Sequence, residues 1–338
     1  MKKQEKKIII IAEAGVNHNA SMEMARKMVV EAAKAGADYV KFQTAVPELV
    51  ISSIAPKAEY QKETTGESES QLEMCKAIHL PLSAYPELAE LCRKEGIGFM
   101  STPFDLVSID SLAPLKMDYW KIPSGEITNL PYLRKIARIG GKVILSTGMS
   151  TLVEVAEAVE VLVRGGIDRK DIFLLHCTTQ YPTPYSDVNL LAMESLRKLD
   201  VGGVGYSDHT LGIEVPIAAA ALGAQVIEKH FTLDKSLPGP DHRASLDPSE
   251  LAAMVKAVRH IEEALGSVEK RVAECEKSNI EVARKSIVAA RPISEGEVFT
   301  EENITVKRPG NGISPMEWDS VLGKKAKKDF PYDSLIEL

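Results

Sequence analysis

No stretch of the 338-residue sequence is apolar for long enough to cross a bilayer, so nothing in it calls for a membrane. The one early apolar run, in MKKQEKKIIIIAEAG, follows a basic start as a secretory leader would. It is too short for that role and reaches Glu13 at once, so it reads as a buried first strand. Excess positive charge is also missing. Lys and Arg number 41 against 48 Asp and Glu, which leaves a net charge of -7 and a pI near 5.7. That balance argues against bulk affinity for nucleic acid or anionic membrane, while local basic sites for a small anion stay open. Cysteine is sparse. Cys75, Cys92, Cys177 and Cys275 show neither CxxC spacing nor a dense framework, and they read as reduced thiols of a cytoplasmic protein. No glycine-rich dinucleotide fingerprint follows the first strand, which counts against an open doubly wound sheet.

What is present is alternation. Short apolar runs lie at Lys7–Ala14, Asp38–Gln43, Gly98–Ser101, Asp118–Ile122, Lys142–Leu145, Ile172–Leu175, Val201–Gly205 and Ala224–Ile227. Nearly every one is followed by a helical pattern. Among these are Met22–Ala35, capped by Ser21 and stopped by Gly36; Leu152–Arg164, capped by Ser150; Val188–Leu199; and Pro248–Leu265. Strand and helix alternating over about 250 residues predict an α/β fold of the closed (β/α)8, or TIM, barrel type. Thr44–Ser70 is a long polar segment, which suggests a functional loop rather than a second domain.

The strand ends carry the chemistry. The apolar runs end in Glu13, Lys41 and Gln43, Thr102, Lys121, Ser146, Thr178, His209 and His230. In a barrel these meet on the face where active sites are built. His209 and His230 end neighbouring strands and can share a divalent metal, with the adjacent acids Asp208 and Glu228 expected to orient the imidazoles. The plainer alternative is two buried histidines bonded to backbone. Lys41, Lys121, Thr102, Ser124 and Ser146 form a possible cradle for phosphate or carboxylate, against the alternative of lysines merely reaching solvent. Glu13 and Glu126 are candidate acid/base or hydroxyl-orienting groups, though each would serve equally as a capping or lysine-pairing carboxylate. Tyr181 and Gln43 suit hydrogen bonding to a polyol or amide. Asp241, in the Pro/Gly-rich turn LPGPDHRASLDP, can reach an aldehyde or hydroxyl near a metal. His176 reads as an ordering residue, His18 as part of a turn, and His79 and His260 as helix-surface residues.

Residues 271–283 are charged and lack strand signals, as a helical linker would. After Arg284 short β-branched pieces and frequent turn residues predict a small β-rich module. In it Lys307–Gly312 is a rigid basic turn, and Arg308 matters only if it reaches a barrel mouth. The expected division is a barrel at 1–268, a linker at 269–283 and the module at 284–338.

Taken together, IAEAGVNHN, VKFQT, STPFD, KIPSGE, LSTGMS, HCTTQYPTP, GYSDHTLG, EKHFTLD, GPDHRASL and KRPGNGI span nearly the whole chain in order, and the chain resembles the sialic acid synthase family. That resemblance implies a TIM barrel followed by a SAF (antifreeze-like, β-clip) domain, in a domain-swapped homodimer whose C-terminal domains cap each other's barrels. It implies a C–C bond-forming transferase that condenses phosphoenolpyruvate with N-acetylmannosamine, giving N-acetylneuraminate and phosphate with the help of Mn, Mg or Co. By position, His209 and His230 would hold the metal, and Lys41, Thr102, Lys121, Ser124 and Ser146 would bind phosphoenolpyruvate. Glu13, Gln43, Glu126, Tyr181, Asp241 and the partner copy's Arg308 would face the sugar, with Glu13, Glu126 and Asp241 as the acid/base groups. Thr179, beside them in the phosphoenolpyruvate set, stands where the family often has Asn. The CTTQYPTP stretch points to the N-acetylneuraminate branch. The alternatives with the same chemistry are legionaminate or pseudaminate synthases, which take diacetamido hexoses, and sialic acid 9-phosphate synthases, which take a 6-phosphate sugar. A pyruvate aldolase and a non-catalytic glycan-binding barrel are the rivals outside that chemistry.

Overall fold

A computed structural model describes residues 7–65 and 70–338. One compact unit runs to Gly266 and a second spans Ser267–Leu338. The first is a (β/α)8 barrel of the TIM type. Its strands are β1 (Ile9–Gly15), β2 (Tyr39–Thr44), β3 (Gly98–Pro103), β4 (Tyr119–Ile122), β5 (Lys142–Ser146), β6 (Ile172–His176), β7 (Gly203–Asp208) and β8 (Val226–His230). They pair in the order β3-β2-β1-β8-β7-β6-β5-β4. The first strand pairs with the last, from Ile9 against Val226 to Glu13 against His230, in parallel register. Asp208 and His230 fall inside strands rather than after them, so β7 and β8 run further than their apolar runs.

Side chains alternate across each strand, and that alternation builds two cores. Outward residues such as Ile10, Val40, Val143, Leu174 and Ile227 pack under the helices. Inward residues Ile11, Met100, Tyr119, Ile144, Phe173, Leu175 and Val226 fill the barrel interior. Two residues further along the same strands, the inward positions become Glu13, Thr102, Lys121, Ser146 and Glu228, and on β2 Lys41 gives way to Gln43. The apolar layer thus floors a polar layer at the carboxyl ends of the strands.

The helices end where local chemistry stops them. Ser21 caps Met22–Ala35 by accepting from Met24, and Gly36 closes it in the left-handed region at φ 83°. Thr151, rather than Ser150, caps Leu152–Arg164 in a reciprocal box with Glu154. Val188–Leu199 is not one helix. It is a 3-10 turn at Leu190–Ala192 running into a short helix at Met193–Arg197, because Asn189 sits at φ 47° and cannot extend a right-handed helix. The second unit holds a short helix, Lys277–Ala283, and an antiparallel pair, β9 (Ser286–Ala289) and β10 (Ile304–Lys307). It has its own core of Ile287, Ile293, Phe299, Ile304, Phe330 and Ile336.

The polar layer leaves little room on β7. A Cβ added at Gly205 would lie 2.2 Å from the Val226 carbonyl oxygen and 2.8 Å from Leu175 Cδ2. Both neighbours are fixed by the sheet. Gly205→Ala should therefore lower stability by about 1–3 kcal/mol, as overpacking does, read as a fall in the denaturant midpoint. An unchanged midpoint would contradict the close packing of β7 on β8.

Candidate active site

The polar layer surrounds a recess of about 180 Å³ at the carboxyl end of the barrel. Strand register alone brings its charges together. Glu13 lies beside Lys41, and Glu228 lies beside Ser207. Lys41 Nζ is 2.6 Å from Glu13 Oε2, 3.0 Å from Thr102 Oγ1 and 3.7 Å from Glu228 Oε2. Lys121 Nζ donates to Ser146 Oγ at 2.7 Å and stands 3.6 Å from Glu228 Oε1. Ser207 Oγ donates to that same oxygen at 3.0 Å. Lys41 and Lys121 are each only 3% exposed.

Charges so buried must answer one another. Burial alone would raise the Glu228 carboxyl, but Lys121 and Lys41 outweigh it and hold the group ionised. Burial pushes Glu13 up to about 7 in spite of Lys41, and Glu228 adds to the effect. Lys121 is lowered by burial. Lys41 is subject to the same burial, yet Glu13 and Glu228 outweigh it and hold the ammonium above its ordinary value. Two lysines therefore face one firmly ionised carboxylate and one that titrates near neutrality. The balance favours an anionic guest.

Ser124 and Ser146 rim the Lys121 side. Ser124 Oγ accepts from the Gly148 N–H at 2.9 Å and lies 3.2 Å from Cys177 Sγ. A Cβ at Gly148 would come 2.6 Å from Thr179 Cγ2 and 2.9 Å from Ser124 Oγ. Glycine there lets a backbone amide approach the recess among hydroxyls, a setting suited to phosphate or carboxylate.

The opposite wall holds the histidines. His209 and His230 lie with ring centroids 5.3 Å apart, and Tyr181 packs against both. His209 Nδ1 is 2.6 Å from the Thr178 carbonyl oxygen, which can only accept, so Nδ1 carries the proton. Nε2 then offers a lone pair, here 3.0 Å from the Tyr181 hydroxyl. Burial lowers His209 to about 4 and His230 well below its ordinary value, so both rings are neutral. His230 Nδ1 is buried without a hydrogen-bond partner among the described residues, 3.8 Å from Asp241 Oδ2. Burial likewise pushes Asp241 up to about 6. Two neutral imidazoles, one oriented by a backbone carbonyl and one with an orphaned nitrogen, fit a divalent cation that fills its other positions from solution. Among the described residues no group of three or more His, Cys, Asp or Glu is arranged to hold a metal.

Of the residues singled out in the sequence, Glu13, Lys41, Gln43, Thr102, Lys121, Ser124, Ser146, Thr179, Tyr181, His209 and His230 all line this recess. Asp241 joins it through His230. Glu126 does not line it; the carboxylate, in the turn Ser124–Glu126, accepts from Asn129. Arg308 is exposed in the second unit, next to the cis peptide at Pro309.

The acids next to the histidines do not orient them. Asp208 points to the outer face, where it binds Lys229, a lysine with no exposed surface. Glu228 points inward but is held between the two lysines and Ser207. Neighbours along a strand face opposite ways, so adjacency to a histidine was the wrong guide, and the period of two was the right one. His79 is not a surface residue; it is half-buried at the end of the helix Gln71–Ile78, with Nδ1 2.8 Å from the Cys75 carbonyl oxygen. His176 Nε2 lies 2.8 Å from the Val188 carbonyl oxygen, an ordering contact.

A model of the NeuB family matches residues 28–270, and a model of the SAF domain matches residues 284–337. The chain is 53% identical over 331 residues to the N,N'-diacetyllegionaminic acid synthase of Campylobacter jejuni subsp. jejuni serotype O:2, spanning 98% of this chain and 99% of that one. It is 46% identical over 318 residues to the enzyme of the same name from Legionella pneumophila subsp. pneumophila, spanning 94% of this chain and 89% of that one. Among solved structures, the N-acetylneuraminic acid (sialic acid) synthetase of Leptospira borgpetersenii serovar Hardjo-bovis, in complex with citrate, superposes with a TM-score of 0.70 at 34% identity, over 81% of this chain and 90% of that one. The similarity favours the diacetamido alternative over the N-acetylneuraminate branch to which CTTQYPTP pointed.

Glu228 holds the cluster together, since it is the carboxylate that both lysines share. Glu228→Gln should cost about 3–5 kcal/mol of stability by leaving Lys121 without a counter-charge. Denaturant unfolding at neutral pH reads this, and a wild-type midpoint would contradict the charge balance described here.

Proposed function

This chain belongs to the NeuB family, and from that premise we propose that it is an N,N'-diacetyllegionaminic acid synthase, condensing phosphoenolpyruvate with a diacetamido hexose and releasing phosphate. The observation that carries the reading is the pairing of two buried lysines with two neutral, converging histidines across one recess. The first pair suits a small polyanion, and the second suits a carbonyl bound at a cation. The identity to synthases named for that product supports the choice of sugar.

On this reading the Lys41 and Lys121 ammonium groups hold the phosphate and carboxylate of phosphoenolpyruvate, with Thr102, Ser146 and Ser124, itself held by the Gly148 amide, completing the hydrogen bonds. Held in place this way, its methylene carbon faces the aldehyde of the open-chain sugar. A divalent cation such as Mn, Mg or Co, held by His209 and His230, supplies Lewis-acid polarisation of that aldehyde when bound. The new bond joins the methylene carbon to the aldehyde carbon, and water adds to the carbon that bears the phosphate. Of the water's two protons, one ends on the former aldehyde oxygen. The other leaves with phosphate as the C–O bond breaks and the carbonyl forms. Glu13, which lines the recess and titrates near 7, suits the transfer of the first proton. Gln43, Tyr181 and Asp241 face the sugar. The family resemblance and the small size of the C-terminal unit support a homodimer in which Arg308 of one copy reaches the sugar in the other.

Phosphate release from phosphoenolpyruvate, followed with and without chelator, tests the reading. Turnover should need the sugar, fall to background with chelator and return with added Mn. His209→Ala and His230→Ala should lower kcat by roughly a thousandfold or more while leaving the circular dichroism unchanged, given what Lewis-acid polarisation contributes. Full turnover in metal-free buffer, or product formed from pyruvate without phosphate release, would contradict it. Arg308→Ala should raise KM for the sugar more than for phosphoenolpyruvate; equal effects on both would contradict the cap.

A further inference from the structure

A second cavity, of about 270 Å³, opens beside the histidine wall. It shares Gln43 and Tyr181 with the lysine recess, and Asp241, 3.8 Å from His230, also lines it. Lys121, Ser124 and Ser146 do not, so it continues the site from the end opposite the phosphate cradle. Its far wall comes from the long connection after β2, through Val50, Ile51, Met74 and Ile78. Among the described residues no lysine or arginine lines it, burial lowers the lining His79 below its ordinary value, and Lys57, buried in the same connection, donates to Thr65 Oγ1 at 3.1 Å. The polar lining includes three carboxamides, Gln43, Gln61 and Gln71, beside Tyr181, Asp241 and His79.

An acetamido group needs both a donor and an acceptor, which a carboxamide supplies, together with an apolar surface for its methyl group. A phosphomonoester needs cations, and among the described residues this cavity presents no lysine or arginine. We propose that this cavity is the subsite for the second acetamido group of the sugar, and that the same lining excludes a 6-phosphate sugar. The inference rests on the reading of the chain as a phosphoenolpyruvate-dependent sugar acid synthase. It assigns substrate choice to the connection after β2 rather than to the metal or lysine residues.

The test is phosphate release from phosphoenolpyruvate with three sugars: a diacetamido hexose, N-acetylmannosamine and N-acetylmannosamine 6-phosphate. Wild-type kcat/KM should be roughly tenfold or more higher for the diacetamido hexose than for N-acetylmannosamine, with no turnover of the phosphate ester, because only the diacetamido sugar carries a group that fills this cavity. Ile51→Arg should erase that preference, raising KM for the diacetamido hexose about tenfold while N-acetylmannosamine changes less than about threefold. Met74→Ala, which adds no charge, should also narrow the preference, and it carries the comparison if the arginine variant does not fold. Equal loss on both sugars, an unaltered preference in both variants, or efficient wild-type use of the 6-phosphate would overturn the subsite while leaving the reaction standing. Phosphate release with none of the three would instead overturn the reaction, and the subsite with it.

Discussion

Two ammonium groups held inside a β-barrel, shielded from water, set the terms for the rest of this molecule. Lys41 and Lys121 occupy inward positions because β2 and β4 alternate, and the layer below them is packed with Ile11, Met100, Ile144, Leu175 and Val226. Their burial is tolerable only because Glu13 and Glu228 arrive from β1 and β8 at the same height. That in turn depends on the first strand pairing with the last. Barrel closure and charge balance are thus one requirement.

The arrangement stops short of full neutrality. One carboxylate is fixed as an anion and the other titrates near 7, so the recess holds its lysines and still accepts an anion. The histidines across from them are kept neutral by burial and remain able to donate lone pairs. The outer face repeats the principle with Asp208 and Lys229, which pair beneath the helix layer and fix the strand ends from which both histidines project. An electropositive seat and a pair of basic nitrogens then share one small space, as a reaction between an anionic enol ester and a carbonyl requires.

Much of this was legible along the chain. Polar residues at the ends of apolar runs mark the mouth of a barrel, and every strand but two ends close to where its apolar run did. The exceptions were informative. β7 and β8 continue through Ser207, Asp208, Glu228 and Lys229, whose polarity hides their strand character until their partners are seen. Sequence adjacency suggested that Asp208 and Glu228 serve the histidines. Partners 21 residues away decide otherwise, since Asp208 meets Lys229 and Glu228 meets Ser207. The cavity walled by Val50, Ile51 and Met74 was illegible for a related reason. Its connection lacks a long periodic pattern, and its apolar residues gather only when several short helices fold over the barrel mouth. Product identity was the least legible feature, because the motifs are those of the family's shared chemistry and the cavity proposed for the second acetamido group lies outside them.

The proposed function places phosphoenolpyruvate on the two buried lysines. Calorimetric titration with phosphoenolpyruvate alone, in the absence of sugar, tests it most directly when wild type is compared with Lys121→Met. Saturable binding to wild type that weakens on the order of 100-fold or more in the variant is the expected result, as for loss of one partner from a desolvated charge pair. Equal affinity in the two proteins would contradict the account.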